Sequence, residues 1–254
     1  MFAKERKYLI LQKLNQNNSV TVSELMEDYH VSIETIRRDL ENMEKEGLLK
    51  RVHGGAISLA QNNEFEDVNK RIFSNKELKE QISQKAFDCI NAGDVIALDS
   101  GTTTATLAMQ LKNNPIPNVT IVTYSSEIFH ILKDCLSYNL IVTGGQYLPT
   151  EKVFYGPLAN KFFQTFHFTK SFLVPSALSI DGGLQDFIFE TYENQIYMTC
   201  NSNQVFILAD STKFTKTGTI KICDISPTFT IITDNQITPT ICEQYHNHQI
   251  TLVH

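Results

Sequence analysis

Short segments rich in hydroxyl groups and glycine follow apolar runs between residues 95 and 213 of this 254-residue chain. Hydroxyl groups donate hydrogen bonds to anion oxygens, glycine lets backbone amides come close, and the start of a following helix adds a favourable dipole. The segments are Asp99-Ser100-Gly101-Thr102-Thr103-Thr104, Thr123-Tyr124-Ser125-Ser126, Thr143-Gly144-Gly145 and Asp210-Ser211-Thr212-Lys213. Lys213 supplies a point charge that would neutralise a phosphate. This composition predicts a site for a phosphorylated sugar or polyol.

A second set of residues has the chemistry to contact nucleic acid. Residues 32–46 follow a helical period with one apolar stripe, and Arg38 lies about 180° and Arg37 about 80° from that stripe. The stripe contains Ile33, Ile36, Leu40 and Met43. Ser32 is placed to cap this helix, and Gly47 is placed to end it. The helix is therefore expected to present two arginines outward.

A basic hairpin is predicted directly after this helix. Residues 48–58 alternate apolar and basic side chains before a Gly-Gly turn. Lys50, Arg51 and His53 would then meet phosphate oxygens. Upstream, apolar periods predict a first helix over residues 4–15 and a short second helix from Ser23. This order of parts predicts a winged helix-turn-helix.

The charge of the N-terminal segment is balanced rather than strongly basic. Residues 1–58 hold 9 basic and 9 acidic side chains, which leaves 13 basic and 19 acidic ones for the remainder. DNA affinity must then come from local clusters and from dimerisation, which doubles the phosphate contacts. The clusters are Lys4/Arg6/Lys7, Arg37/Arg38 and Lys50/Arg51.

The composition is that of a globular protein, with 42% hydrophobic and 20% charged residues. Residues 4–7 lead into an amphipathic helix rather than a signal peptide, and no apolar run reaches about 18 residues, so we expect a cytoplasmic protein with no membrane contact. The five cysteines are scattered without a CxxC pair, which predicts buried thiols rather than a zinc site or disulfides. No metal or other cofactor is expected.

The polar stretch 59–75 is predicted to be a linker. After a helix over residues 76–91, short apolar runs alternate with helical patterns. The runs span 95–98, 119–122, 140–142, 172–174, 205–209 and 229–232. Such alternation predicts an α/β domain with a mainly parallel sheet covered on both faces, whose ligands bind beyond the carboxyl ends of the strands.

The chain resembles DeoR-type transcriptional regulators over nearly its whole length. The motifs that carry the resemblance are TIRRDL (35–40), RVHGGA (51–56), LDSGTTT (98–104), TGG (143–145), IDGGL (180–184) and LADSTKF (208–214). The resemblance implies a winged helix-turn-helix over residues 1–58 and a sensing and oligomerisation domain over residues 76–254, similar to ribose-5-phosphate isomerase. It further implies a homodimer or homotetramer that represses carbohydrate genes and leaves double-stranded operator DNA when a phosphorylated sugar binds.

The resemblance also implies roles for individual residues. The DNA-binding residues would be Ser32, Thr35, Arg37, Arg38, Lys50, Arg51, His53 and Gly54. The effector-binding residues would be Lys79, Asp99, Ser100, Gly101, Thr102, Thr103, Ser125, Gly145, Asp181 and Lys213.

Three departures from the family pattern lie in the sensor half. Tyr124 replaces a common Asn, the segment at Pro175 replaces a common Gly-ended strand, and Gln195 replaces a common Lys. Tyr124 is expected to add bulk beside the phosphate loop. Two alternatives therefore stay open. One is an isomerase-like enzyme that uses Asp99, Asp181 and Lys213, and the other is a DNA-binding regulator whose sensor domain does not respond to ligand.

Overall fold

The computed structural model describes residues 6–7, 9–11, 13–14, 19–45, 48–52, 54–58, 71 and 74–254. The chain divides into two compact units, Met1–Glu64 and Phe65–His254. Gly47, His53 and most of the predicted linker lie outside the described residues.

The smaller unit begins with helical residues between positions 6 and 14, followed by helices α1 (Val22–Tyr29) and α2 (Ile33–Lys45). Helix α1 starts with a capping box, in which the Thr21 hydroxyl accepts from the Glu24 amide (3.2 Å) and the Glu24 carboxylate accepts from the Thr21 amide (2.9 Å). Helix α2 starts as predicted, because the Ser32 hydroxyl accepts from the Thr35 amide at 3.3 Å. The buried apolar side chains of this unit include Ile10, Leu14, Leu25, Ile36, Leu40, Met43 and Leu49.

A three-stranded antiparallel sheet completes this unit. Its strands are β1 (Ser19–Thr21), β2 (Leu49–Val52) and β3 (Gly55–Ser58), in the order β1-β3-β2. The turn between β2 and β3 has Gly54 at φ +86°, a conformation that favours glycine. Strand β1 extends the predicted hairpin by one strand, and it lies so close to Gly55 that a Cβ there would be 2.0 Å from the Val20 carbonyl oxygen.

The larger unit is built on a seven-stranded parallel sheet. Its strands are β4 (Val95–Leu98), β5 (Val119–Thr123), β6 (Tyr138–Val142), β9 (Phe168–Leu173), β12 (Ser202–Leu208), β14 (Phe229–Ile232) and β15 (Thr251–Val253). Their spatial order is β15-β14-β12-β9-β4-β5-β6, and every neighbouring pair is parallel. The predicted mainly parallel sheet is confirmed.

The helices of this unit are α3 (Lys76–Phe87), α4 (Thr102–Asn113), α5 (Ser126–Leu132), α6 (Pro157–Thr165), α7 (Tyr192–Cys200) and α8 (Pro239–Asn247). Two 3-10 turns cover Phe189–Thr191 and Ser211–Thr215. Two small antiparallel sheets add a hairpin of β7 (Gln146–Leu148) and β8 (Val153–Tyr155), and a group of β10 (Ala177–Ser179), β11 (Gly183–Asp186) and β13 (Ile220–Cys223).

Two apolar cores cover the two faces of the parallel sheet. Along β4, Ala97 packs into one core, whereas Ile96 and Leu98 pack into the other. Alternate side chains of a strand point to opposite faces, so both faces of the sheet are buried. Helix α4 contributes Leu107, Ala108 and Leu111 to the second core.

The cysteines are free thiols, but the prediction that they are buried is wrong. Cys89, Cys135, Cys223 and Cys242 are half-buried, and Cys200 is exposed. The apolar character of Cys does not by itself secure a core position. Within the described residues, no helix is long and apolar enough to cross a membrane, and no three His, Cys, Asp or Glu side chains are grouped to hold a metal ion.

Candidate functional site

The outward face of α2 carries the predicted arginines. Arg37 and Arg38 are exposed, while Ile36 and Leu40 are buried. Ser32 is exposed at the start of the helix, and its hydroxyl lies 3.0 Å from that of Thr35. The apolar face and the arginine face are therefore separated as the helical period requires.

The hairpin is attached to the end of this helix. The backbone amide of Arg51 donates to a carboxylate oxygen of Glu44 at 2.7 Å, and the Arg51 side chain is exposed. Lys50 lies on β2, paired with Ile57, and Gly54 forms the turn. The Gly54 carbonyl oxygen accepts from the amide of Val22, the first residue of α1, at 2.8 Å. The arginine face of α2 and the hairpin thus belong to one hydrogen-bonded unit.

Arg6 has a structural position rather than a solvent-facing one. Its side chain is 8% exposed, and its Nε donates to the Asp39 carboxylate at 2.7 Å. This ion pair joins the N-terminal helical residues to α2. The predicted cluster Lys4/Arg6/Lys7 is therefore corrected, because Arg6 is committed to Asp39, and Lys4 lies outside the described residues.

A cavity of about 500 Å³ lies at the carboxyl ends of β4 and β5 in the larger unit. Its lining includes four predicted effector residues, Ser100, Gly101, Thr102 and Ser125. Helix α4 begins at Thr102, so the first amides of this helix, which have no intrahelical acceptor, are at the cavity. Helices α4 and α5 add apolar lining from Ala105, Met109 and Ile131. The cavity thus combines hydroxyl and amide donors with an apolar wall.

Three cations line the same cavity, and each is paired with a carboxylate that also lines it. Lys152 Nζ lies 2.9 Å from Glu127, Lys76 Nζ lies 3.8 Å from Glu80, and the Arg71 guanidinium contacts Glu151. The Arg71–Glu151 pair is the least exposed, with side chains 17% and 12% accessible. The charges of the lining therefore balance, and an anion in the cavity would meet three carboxylates as well as three cations.

Glycine is required where the loop before α4 meets the end of β9. A Cβ on Gly101 would lie 2.4 Å from a methyl carbon of Val174. The second constrained glycine is Gly145, with φ +132°, where a Cβ would lie 2.6 Å from the Tyr155 carbonyl oxygen. Gly145 packs against the end of β8 and supports the loop after β6.

Asp99 is fully buried, and other parts of the chain occupy its acceptor positions. Its carboxylate accepts from the amides of Ser100 (2.8 Å) and Val174 (2.9 Å), from Gln195 Nε2 (3.3 Å) and from the Tyr124 hydroxyl. A carboxylate offers about four acceptor positions. Burial raises the pKa of Asp99 to about 6, against the lowering effect of these donors. Asp99 therefore joins the ends of β4, β5 and β9 to α7.

Gln195 extends this network to a second buried carboxylate. Its Nε2 also donates to Asp186 at 2.9 Å, and Asp186 accepts from the Ser176 hydroxyl (2.7 Å) and the Phe187 amide (2.7 Å). Gln195 Oε1 and both side-chain polar atoms of Asn194 are buried without a hydrogen-bond partner among the described residues. We call Asp99, Tyr124, Gln195 and Asp186 the buried carboxylate network.

The remaining predicted effector residues lie outside the lining of this cavity. Lys79 is buried, and its ammonium group donates to the carbonyls of Arg71 and Ser74. Thr103 is buried, and its carbonyl accepts from the Ser83 hydroxyl at 3.0 Å. Lys213 is half-buried in the turn after β12, where burial lowers the pKa of its ammonium group. Asp181 is exposed and lines a second cleft of about 240 Å³ beside Tyr245 and His248.

Comparison with known proteins decides the family. The DeoR-like helix-turn-helix domain model matches residues 6–62, and the DeoR C-terminal sensor domain model matches residues 74–235. The chain belongs to the DeoR family of transcriptional regulators. This DeoR-family chain is 32% identical over 254 residues to the lactose phosphotransferase system repressor of Lactococcus lactis, covering 99% of each chain. It is 33% identical over 252 residues to the L-fucose operon activator of Haemophilus influenzae, covering 98% of each.

Among solved structures, this DeoR-family chain is similar to ribose 5-phosphate isomerase A from Methanocaldococcus jannaschii, with a TM-score of 0.41 and 18% identity. The match covers 56% of each chain.

Sequence reasoning about this DeoR-family regulator missed Arg71, Glu151 and Asp186. Arg71 falls in the polar stretch that was predicted to be a linker, and Glu151 lies in the turn between β7 and β8. Asp186 becomes notable only through its contact with Gln195. Tyr124 lies beneath the predicted phosphate loop, because its hydroxyl donates to Asp99, the residue before Ser100, and its ring is buried edge-on against Phe163 with centroids 5.6 Å apart.

Proposed function

We propose that this chain represses genes for carbohydrate uptake or catabolism by binding operator DNA, and that a phosphorylated sugar releases it. The observation that carries the proposal is the cavity in which Ser100, Gly101, Thr102 and Ser125 meet the start of α4. Hydroxyl groups and the first amides of a helix are donors suited to a phosphate, and a glycine lets the backbone come close to it. The family of the chain and the printed names of its relatives, a lactose system repressor and a fucose operon activator, support a carbohydrate signal.

The DNA contacts are proposed for α2 and the hairpin. Thr35, Arg37 and Arg38 would enter the major groove, with Ser32 at the start of the helix. The hairpin would approach the phosphate backbone of the DNA through Lys50, Arg51, His53 and Gly54. Exposed arginines next to a hairpin joined to the same helix support this assignment, because phosphate contacts fix the register in which base contacts read sequence.

The effector contacts are proposed for the loops after β4 and β5. The phosphate would lie against Ser100, Gly101, Thr102 and Ser125. Asp99, Thr103, Lys79 and Gly145 would support the loops that carry these donors, since each packs against or bonds to protein groups. Asp181 lines the second cleft, so direct contact with the phosphate is not proposed for it. Lys213 lies in the turn after β12, where burial lowers the pKa of its ammonium group and the positive charge of the cavity residue Arg71 helps to lower it, so Lys213 stays a proposed phosphate contact.

The regulator would act in the cytoplasm as a homodimer or homotetramer, because two DNA-binding units double the phosphate contacts. Effector binding would change operator affinity by a coupling free energy of about 1 to 3 kcal/mol, and this coupling is reciprocal. Saturating operator DNA must then weaken effector binding by the factor by which effector weakens DNA binding.

The regulator is favoured over the isomerase-like enzyme by the positions of the candidate acid–base groups. A catalytic base has to come within hydrogen-bond reach of its substrate. Asp99 is fully buried and bonded to four protein donors, and Asp181 lines a different cleft. The departures Tyr124 and Gln195 bind Asp99, so they alter the interior beneath the loops.

The test is a fluorescence-anisotropy titration of the full chain on DNA from the promoter next to its own gene, with and without hexose, ketose and pentose phosphates. Specific binding that one sugar phosphate weakens supports the proposal and identifies the effector. Specific binding that a sugar phosphate strengthens would reverse the sign of regulation. Specific binding that none of them alters would support the alternative of an unresponsive sensor domain.

A further inference from the structure

Arg71 is held in the wall of the effector cavity from two directions. Its guanidinium contacts the Glu151 carboxylate, and both side chains line the cavity with Ser100 and Ser125. Its backbone carbonyl accepts from the buried ammonium group of Lys79, which also donates to the carbonyl of Ser74 at 2.6 Å. The main chain at Arg71 is therefore tied to α3 while its side chain faces the cavity.

Arg71 lies close in sequence to the boundary between the two units. The larger unit begins at Phe65, so six residues separate Arg71 from the unit boundary. Of the residues that line the cavity, Arg71 lies nearest in sequence to that boundary. Lys76 and Lys152, the other cations of the cavity, lie within α3 and in the turn before β8.

Arg71 is also the cation best suited to exchange its partner. A guanidinium binds carboxylates and phosphates with the same planar pair of donors, whereas an ammonium group is a point charge. Its side chain is 17% exposed, compared with 28% for Lys152 and 77% for Lys76. Weaker solvent screening makes the choice of counterion more consequential for Arg71 than for either lysine. A phosphate carries more negative charge than the Glu151 carboxylate.

We propose that Arg71 binds the phosphate of the effector by exchanging Glu151 for it, and that this exchange transmits occupancy of the cavity to the DNA-binding unit. The inference rests on the proposed function, since it assigns a residue and a switch to the same effector site. In the ligand-free protein Arg71 pairs with Glu151. With the effector bound, Arg71 pairs with the phosphate instead, and operator affinity changes with this exchange.

The experiment measures ligand and operator affinity for the full chain and four variants. Calorimetric titrations use glucose 6-phosphate, fructose 6-phosphate, ribose 5-phosphate and inorganic phosphate. The variants are Arg71→Gln, Arg71→Lys, Glu151→Gln and the control Lys221→Gln, which breaks the exposed Lys221–Asp224 pair on β13. Thermal denaturation establishes that each variant is folded.

We expect Arg71→Gln to weaken binding of the preferred sugar phosphate at least tenfold, and Arg71→Lys to weaken it less. Glu151→Gln should tighten ligand binding, because the competing carboxylate is lost. Without ligand, Glu151→Gln should also have an altered operator affinity. The change should have the same sign as the change that saturating ligand causes in the wild type. Lys221→Gln should change neither affinity.

Two results would overturn the inference in distinguishable ways. If the wild type binds a sugar phosphate and both Arg71→Gln and Glu151→Gln bind it equally well, the exchange is wrong while the proposed function stands. If the wild type binds operator DNA but binds neither these four probes nor any other hexose, ketose or pentose phosphate of the anisotropy panel, the sugar-phosphate function fails and the inference fails with it. If Arg71→Gln does not fold, the Glu151→Gln variant alone tests the exchange. Ligand and operator affinities equal to those of the wild type in Glu151→Gln would then reject it.

Discussion

The hydroxyl group of Tyr124 donates a hydrogen bond to the carboxylate of Asp99, and both side chains are completely buried. Tyr124 follows β5 and Asp99 follows β4, so the bond joins the ends of two adjacent parallel strands. Gln195 of α7 binds the same carboxylate from another side. Two of the three positions at which this chain departs from the family pattern, Tyr124 and Gln195, are therefore partners of one buried group.

Tyr124→Phe should destabilise the larger unit by about 1 to 3 kcal/mol, because Asp99 loses a donor without access to water. Urea denaturation at pH 7 measures the change, and Tyr192→Phe, at a half-buried tyrosine of α7, serves as the control. Equal stability of Tyr124→Phe and wild type would show that the bond contributes nothing.

The stability of the larger unit should depend on pH through Asp99. Its pKa is about 6 in the folded protein, because burial raises it from an ordinary value of 3.8. At a pH between 3.8 and about 6, Asp99 holds a proton in the folded chain and releases it in the unfolded chain. The stability that this group contributes is greatest below pH 4 and is lost as the pH rises toward 6.

Asp99→Asn tests this dependence, since an amide does not titrate. Denaturation free energies from pH 4 to pH 7 should show the wild type losing up to about 3 kcal/mol relative to the variant. Parallel curves for the two proteins would contradict the raised pKa.

Gly101→Ala should destabilise the loop before α4 by about 1 to 3 kcal/mol, as overpacking does. The added methyl group would lie 2.4 Å from a methyl carbon of Val174. The double variant Gly101→Ala/Val174→Ala removes that clash, and a double-mutant cycle from urea denaturation should show recovery. If Val174→Ala restores nothing, the steric explanation is wrong.

Arg38→Ala should weaken operator binding by about 1 to 3 kcal/mol if Arg38 reads a base. Anisotropy titrations on operator and scrambled DNA measure the effect, with Lys45→Ala, at the exposed end of the same helix, as the control. An equal loss on both DNAs would instead make Arg38 a phosphate contact.

The parallel sheet was predictable because buried strands are short apolar runs. The predicted strand bounds 95–98 and 229–232 match β4 and β14. Strand β9 begins at Phe168, four residues before the predicted run, since its first half includes Lys170. That lysine is buried through an ion pair with Asp94 at 2.5 Å, a compensation that hydropathy does not reveal.

The cavity and the buried carboxylate network differ in how far the sequence reveals them. Ser100, Gly101, Thr102 and Ser125 were identified because the chemistry of a strand-to-helix turn is local. The sequence does not reveal the structural position of Asp99, because its partners Tyr124, Val174 and Gln195 lie 25, 75 and 96 residues further along the chain. The roles of such a group depend on contacts that only the folded chain creates.

The apolar wall of the cavity and the buried carboxylate network use different side chains. Ala105, Met109 and Ile131 shape the cavity, whereas Asp99 and its partners hold the strand ends together. Ile131 also packs against the second core, so Ala105 and Met109 are the wall residues whose substitution we expect to leave the sheet intact. If the cavity holds the effector as proposed, a lineage of such proteins can acquire a new signal molecule by gradual change at the wall while the inherited scaffold persists.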